Sequence, residues 1–193
     1  MREIIRNGLI LFAITVIAGT LLGITNEVTK APIIEAQKAK TQDALANVFE
    51  NADFGDEIAL DAALITEYPF VSSYYEATIN NELAGYAFKV VTSEGYGGNI
   101  EFIVGLSIEG HITGIDIIKQ AETPGLGAKA AEPEFKDQYI DKKTEVLTVV
   151  KNDAPGDLEI SAISAATITS KAVTNAVNQV ITYYNTELIG GVQ

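Results

Sequence analysis

The chain has 193 residues, with 13 lysines and arginines against 26 aspartates and glutamates and a formal net charge of −13. That balance excludes a nucleic-acid binder, because phosphate contacts need a basic surface. The chain has no cysteine and one histidine, His111, which excludes a disulfide framework, a thiolate metal site and a cysteine-held iron–sulfur cluster. No metal site is expected, and any redox chemistry must be carried by an organic cofactor.

Residues 7–26 carry no charge and are mostly apolar. As a helix rising about 1.5 Å per residue they reach roughly 30 Å, enough to cross a bilayer core. The run is long for a signal peptide and no small-residue cleavage site follows it closely, so an uncleaved anchor is expected. Arg2 and Arg6 precede the span and are the only arginines; the other eleven basic residues are lysines diluted by 25 acids. The positive-inside rule then places the N-terminus in the cytoplasm and residues beyond about 27 outside.

After the span, Ile34, Leu45, Val48 and Phe49 fall on one face and predict a juxtamembrane helix over 33–50, with Pro32 at its first turn or at a kink. Strands are expected at 74–79 and 86–91 around an Asn80-Asn81 hairpin, and at 100–108 and 111–118 around Glu109-Gly110. Pro133 suits the start of a short helix within 131–139, and 145–150 reads as a further strand. Val173, Ala176, Val177, Val180, Ile181 and Tyr184 recur at helical spacing and predict a long C-terminal helix. The pattern implies an α+β chain: an N-terminal transmembrane helix, then a twisted antiparallel sheet with packed helices.

Two kinds of segment stand out for chemistry. Ser164, Thr167, Thr169 and Ser170 lie at the start of the last helix, where serine and threonine serve as caps and where free N–H groups suit a phosphate. Gly95-Tyr96-Gly97-Gly98 and Glu122-Thr123-Pro124-Gly125-Leu126-Gly127 are either ordinary turns or loops that let backbone approach a flat ring. Neither is a dinucleotide fingerprint or a P-loop. From the residues alone, the reading ends at a phosphate-bearing ligand.

In order, the Gly95–Gly98 loop, the Glu109-Gly110 hairpin, Glu122 to Lys129 and residues 164–170 resemble the FMN-binding domain over about residues 85–185. The anchor and the length resemble the G subunit of the Rnf electron-transport complex. The resemblance implies three parts: a membrane anchor at 1–26, a juxtamembrane helix and start of the outer domain at 27–84, and an FMN-binding domain at 85–193. It implies FMN joined through its phosphate to Thr167, with Thr169 as the fallback acceptor. Ser164, Ala165, Ala166, Gly95, Tyr96, Gly97, Gly98, Glu122, Thr123, Pro124, Gly125, Leu126, Gly127 and Lys129 would flank the flavin.

The implied function is an extracytoplasmic electron carrier, single-pass in the cell membrane, in an ion-translocating ferredoxin:NAD oxidoreductase. The implied partners are the other Rnf subunits and a flavin transferase, and no independent turnover is expected, since no nucleophile–base pair stands out. The C subunit of the Na⁺-translocating NADH:quinone reductase, a stand-alone extracellular flavoprotein and a non-redox anchored binding module are the alternatives. The family usually has glycine where this chain has Ala165 and an acid where it has Ser161. If that glycine has positive φ, alanine costs about 1 kcal/mol there.

Overall fold

The computed structural model describes residues 2–151 and 155–190. The chain divides into two compact units, Met1–Lys40 and Thr41–Gln193. Helix α1 (Arg2–Val48) supplies all the described residues of the first unit. Its most apolar 18-residue window has a mean hydropathy of 2.2 and no buried residue, so the helix is long and apolar enough to cross a membrane. The hydroxyls of Thr15, Thr20, Thr25 and Thr29 donate to carbonyls of their own helix, which keeps polar groups satisfied without outside partners. The span and the helix expected at 33–50 form one element, with Pro32 inside it. Proline withholds one N–H, but residues 24–48 contain no glycine and no second proline, so the helix continues past it.

In the second unit the last turns of α1 lead to two short strands, β1 (Asp53–Phe54) and β2 (Ile58–Ala59), and to helix α2 (Ala62–Glu67). The Asp61 carboxylate caps α2 by accepting from the amides of Ala63 and Leu64 at 3.0 and 2.9 Å. Strands β3 (Val71–Ile79) and β4 (Glu82–Thr92) form the expected hairpin, whose turn residues Asn80 and Asn81 have φ of 54° and 65°. Strands β5 (Ile100–Ser107) and β6 (Ile112–Lys119) form the next. All pair antiparallel in the order β1-β3-β4-β5-β6, with β2 also on β3.

The expected short helix is α3 (Pro133–Lys136), between 3₁₀ turns at Gly127–Ala131 and Asp137–Tyr139. Of the strand expected at 145–150, only β7 (Thr148–Val150) forms. It pairs in parallel with β8 (Glu159–Ser161) in a separate two-stranded sheet. The Asn178 side chain reads both backbone groups of Leu147, accepting from its N–H and donating to its carbonyl. Helix α4 (Thr167–Tyr183) ends in a π-helical turn, Tyr184–Ile189.

Both faces of the main sheet are covered, and the side-chain alternation of β5 shows how. Phe102, Val104 and Leu106 join the core that contains Val173, Ala176, Val177, Val180 and Ile181 of α4. Ile103 joins a second cluster with Ala44, Leu45, Val48 and Phe49 from the end of α1 and just beyond it. Each fully buried valine, leucine, isoleucine or phenylalanine among them contributes about 1.5–3 kcal/mol. The result is an α+β domain in which α4 is fixed along its length, and its first turn carries the segment of chemical interest.

Candidate functional site

The 161–170 turn is built by its own hydroxyl and amide groups. The Ala166 amide donates to the Ile163 carbonyl at 2.9 Å, closing the turn, and Ala165 takes φ of 60° to allow it. Ser170 then stitches the turn to α4: its Oγ accepts from the Ile163 amide at 2.9 Å and donates to the Ala166 carbonyl at 3.0 Å. The N-cap position falls on Ala166, which supplies no side-chain hydrogen bond. Thr167 is the first helical residue, so the capping explanation for a threonine here does not apply to it. The first turn of α4 keeps the positive end of its dipole without a side-chain cap.

A buried carboxylate ties this turn to both glycine loops. Glu122 is 5% exposed and Thr169 1%. The Thr169 hydroxyl donates to Glu122 Oε2 at 2.6 Å, and the Gly97 amide donates to Oε1 at 2.8 Å. The Glu122 amide in turn donates to the Gln120 side chain. Among the described residues no lysine or arginine pairs with Glu122. Three segments distant in sequence therefore meet at one side chain: the β4–β5 loop, the loop after β6 and the start of α4. A second tie reaches the same loop, as Asn175 of α4 donates to the Glu94 carboxylate at 2.9 Å.

The glycines take their meaning from that carboxylate. A Cβ on Gly127 would lie 2.4 Å from Glu122 Oε2 and 2.5 Å from Thr169 Oγ1. One on Gly95 would lie 2.7 Å from Glu122 Oε1, and one on Gly97 2.1 Å from the Ala121 carbonyl oxygen. These three positions are glycine because protein atoms fill the space beside them. Gly98 and Gly125 have open space around them and instead need their φ of 114° and 77°.

The remaining positions singled out from sequence lie nearer the surface. Tyr96 is 74% exposed, and Leu126 and Ile168 are exposed as well. Thr123 and Pro124 are also exposed, with the Thr123 carbonyl accepting from the amides of Leu126 and Ala128. Lys129 and Ser164 line a cleft of about 240 Å³ with Glu132, Glu134, Phe135, Gln138 and residues 161–163. Gln138 accepts from the Ser161 amide at 2.7 Å, fixing the floor of that cleft.

The hydroxyls of the segment separate into two groups. Those of Thr169, Ser170 and Thr174 are buried and donate to Glu122, to the Ala166 carbonyl and to the Ser170 carbonyl. Thr174 also meets the hydroxyl of Tyr139 at 2.7 Å, a phenol whose burial pushes its pKa well above the usual value. Thr167 is half-buried, and its hydroxyl has no hydrogen-bond partner among the described residues. Sequence reasoning kept Thr169 as the fallback acceptor and did not foresee its bond to Glu122. It also missed Glu94, Asn175 and Ser170 as the residues that hold the loop and the turn.

Residues 95–182 match the FMN-binding domain family and residues 1–48 match the RnfG N-terminal region. The chain is 40% identical over 192 residues to the G subunit of the Na⁺-translocating ferredoxin:NAD⁺ oxidoreductase complex of Acetobacterium woodii, covering 95% of this chain and 92% of that one. It is 42% identical over 108 residues to the G subunit of the proton-translocating ferredoxin:NAD⁺ oxidoreductase complex of Clostridium ljungdahlii, covering 56% of this chain and 57% of that one. Its fold is similar to the crystal structure of the C subunit of the Na⁺-translocating NADH–quinone reductase of Parabacteroides distasonis. The TM-score is 0.56 at 23% identity, covering 77% of this chain and 90% of that one. With the first of these matches spanning both the apolar helix and the domain, the chain belongs to the family of G subunits of Rnf-type ion-translocating oxidoreductase complexes.

Proposed function

We propose that this chain is the membrane-anchored flavin carrier of an Rnf-type complex, with FMN esterified through its phosphate to Thr167. One observation carries the attachment site. Within the first turns of α4 the hydroxyls of Thr169, Ser170 and Thr174 are buried in protein hydrogen bonds, whereas that of Thr167 is free at the uncapped start of the 17-residue helix; exposed Ser164 lies outside the helix. A phosphodiester anion there would face unpaired N–H groups and a favourable dipole. Exposed Tyr96, Leu126 and Ile168, each from one of the three braced segments, offer apolar surface to a flat ring. The residues present therefore fit FMN, which when bound would supply the electron-transfer chemistry that a chain without cysteine lacks.

Condensing a threonine with a free phosphate is uphill in water, so the donor needs an activated phosphoanhydride, which a flavin dinucleotide supplies. In that transfer the Thr167 oxygen would bond to the flavin-side phosphorus as the anhydride P–O bond breaks, and the nucleoside monophosphate would leave with the charge. The hydroxyl proton passes to solvent. The Thr167 backbone, held by α4, keeps the acceptor in place while a flavin transferase supplies the donor. A permanent ester also suits a domain outside the cytoplasm, where a lost FMN is not replaced. Arg2 and Arg6 before an uncharged span support that orientation, and protease added to intact cells should cut the domain beyond residue 40. Cleavage only in inside-out vesicles would reverse it.

The ionisable groups of α1 lie outside residues 7–26, which argues that ion movement belongs to partner subunits. The two relatives named for Na⁺ and for protons fit a subunit that relays electrons without choosing the ion. The decisive test is the full chain co-expressed with a flavin transferase. It should give a band that fluoresces after denaturing electrophoresis, with added mass equal to FMN minus water, and Thr167→Ala should lose both while still folding. A fluorescent Thr167→Ala would move the site, first to exposed Ser164. Membranes carrying Thr167→Ala should assemble the complex yet lose ferredoxin-dependent NAD⁺ reduction; normal activity would put the flavin off the electron path.

A further inference from the structure

We infer that Glu122 and Thr169 form a latch that positions Thr167 for flavin transfer, an inference that rests on Thr167 being the acceptor. Glu122 arrives from the loop after β6, 47 residues before its partner Thr169. Its two carboxylate oxygens accept from different segments, the Thr169 hydroxyl at 2.6 Å and the Gly97 amide at 2.8 Å. Removing one donor alone is costly, since a buried carboxylate that loses it keeps its desolvation cost. Thr169 lies two residues beyond Thr167 in the same helical turn, so the bond fixes how far the first turn of α4 stands from the glycine loops. Gly127 admits the bond: a Cβ there would press on both partners at 2.4 and 2.5 Å.

The latch touches neither the acceptor oxygen nor any reacting atom, so Glu122 and Thr169 are positioning residues. Their effect should fall on the rate at saturating donor, because the donor is held by the transferase, and displacement of an acceptor by about 1 Å costs up to about a hundredfold in rate. A residue needed only for folding would instead lower the folded fraction and leave the folded molecules normal.

The test measures FMN incorporation into the full chain by a purified flavin transferase with a flavin dinucleotide as donor. Folded fraction is measured in parallel by circular dichroism. Thr169→Val, which keeps shape and removes the donor, should slow incorporation about tenfold or more per folded molecule, with the KM for the dinucleotide unchanged. Thr169→Ser, which restores the hydroxyl, should run near the wild-type rate. Glu122→Met, which keeps the length and removes both acceptors, provides the same reading if Thr169→Val does not fold, and the rate should fall by about tenfold or more per folded molecule. Wild-type rates in Thr169→Val or Glu122→Met, or a Thr169→Ser as slow as the valine variant, would overturn the latch while leaving Thr167 as acceptor. A wild-type chain that takes up no FMN would overturn the acceptor reading and the latch with it.

Discussion

The two ends of α4 are held to the same domain by different interactions. Towards its C-terminus, Val177, Val180, Ile181, Tyr183 and Tyr184 are buried against the sheet, and Tyr183 meets Tyr68, Tyr74 and Phe88 with ring centroids 5.1–6.3 Å apart. At its N-terminus, Ala172 and Val173 are buried too, but three buried hydroxyls add directed bonds: Thr169 on Glu122, Ser170 on the 163–166 turn and Thr174 on Tyr139. Apolar contact is non-directional and scales with area, whereas hydrogen bonds fix distance and angle. The difference teaches that the helix is stabilised at one end and aimed at the other.

The largest effect should come from breaking the apolar end. Ile181 is 2% exposed, and Ile181→Ala should cost about 2–5 kcal/mol, the usual range for emptying a packed core site. Denaturant unfolding of the detergent-solubilised chain measures it. FMN content per folded molecule should stay at the wild-type level, because the N-terminal turn keeps its own bonds. A matching loss of FMN content would show that the two ends are not separable.

A smaller effect should probe the apolar end by pH. Burial, then the nearby Tyr74, Glu187, Tyr68 and Asp61, push the Tyr183 phenol from 10.0 up to about 12. The folded state therefore binds the proton more tightly than the unfolded state. That stability is fully present below about pH 10 and is lost as pH rises through about 12. Tyr75 is raised in the same way, also by burial first and then by Glu57, so Tyr183→Phe should flatten the alkaline fall without removing it. The turn at residues 164–170 holds no tyrosine. Unfolding curves between pH 9 and pH 12 that are identical for wild type and Tyr183→Phe would show that this end carries no such dependence.

This contrast also explains what was legible in the sequence. The apolar end of α4 announces itself through Val173, Ala176, Val177, Val180, Ile181 and Tyr184, a helical period read from neighbours. Asn80-Asn81 and Glu109-Gly110 are equally local, and both hairpins form where expected. Thr167 and its loops were legible as a pattern in chain order. The bond from Thr169 to Glu122 was not, because no local rule connects residues 47 apart. Strand β8 carries one buried apolar residue, Ile160, too little for a period of two to show. Asn175 and Asn178 add nothing to the apolar period, yet they fasten α4 to Glu94 and Leu147.

The smallest effect should sharpen the aimed end without disturbing its bonds. Ala165 stands at φ of 60°, where the Cβ of an L-residue costs roughly 1–2 kcal/mol. Glycine removes that cost but brings a more flexible unfolded chain, worth about 0.4–1 kcal/mol in the opposite sense. Ala165→Gly should therefore stabilise the protein by about 0.5–1 kcal/mol. Because the turn already has the left-handed geometry that glycine prefers, and Ser170 still holds Ile163 and Ala166, Thr167 should be presented as before. FMN incorporation should then stay near the wild-type rate while the unfolding midpoint rises slightly. A lower midpoint would mean that the loss of unfolded-chain restriction outweighs the relieved strain. A large rise in incorporation would mean that the alanine holds the turn away from the geometry the transferase prefers, with the strain acting on aim as well as on stability.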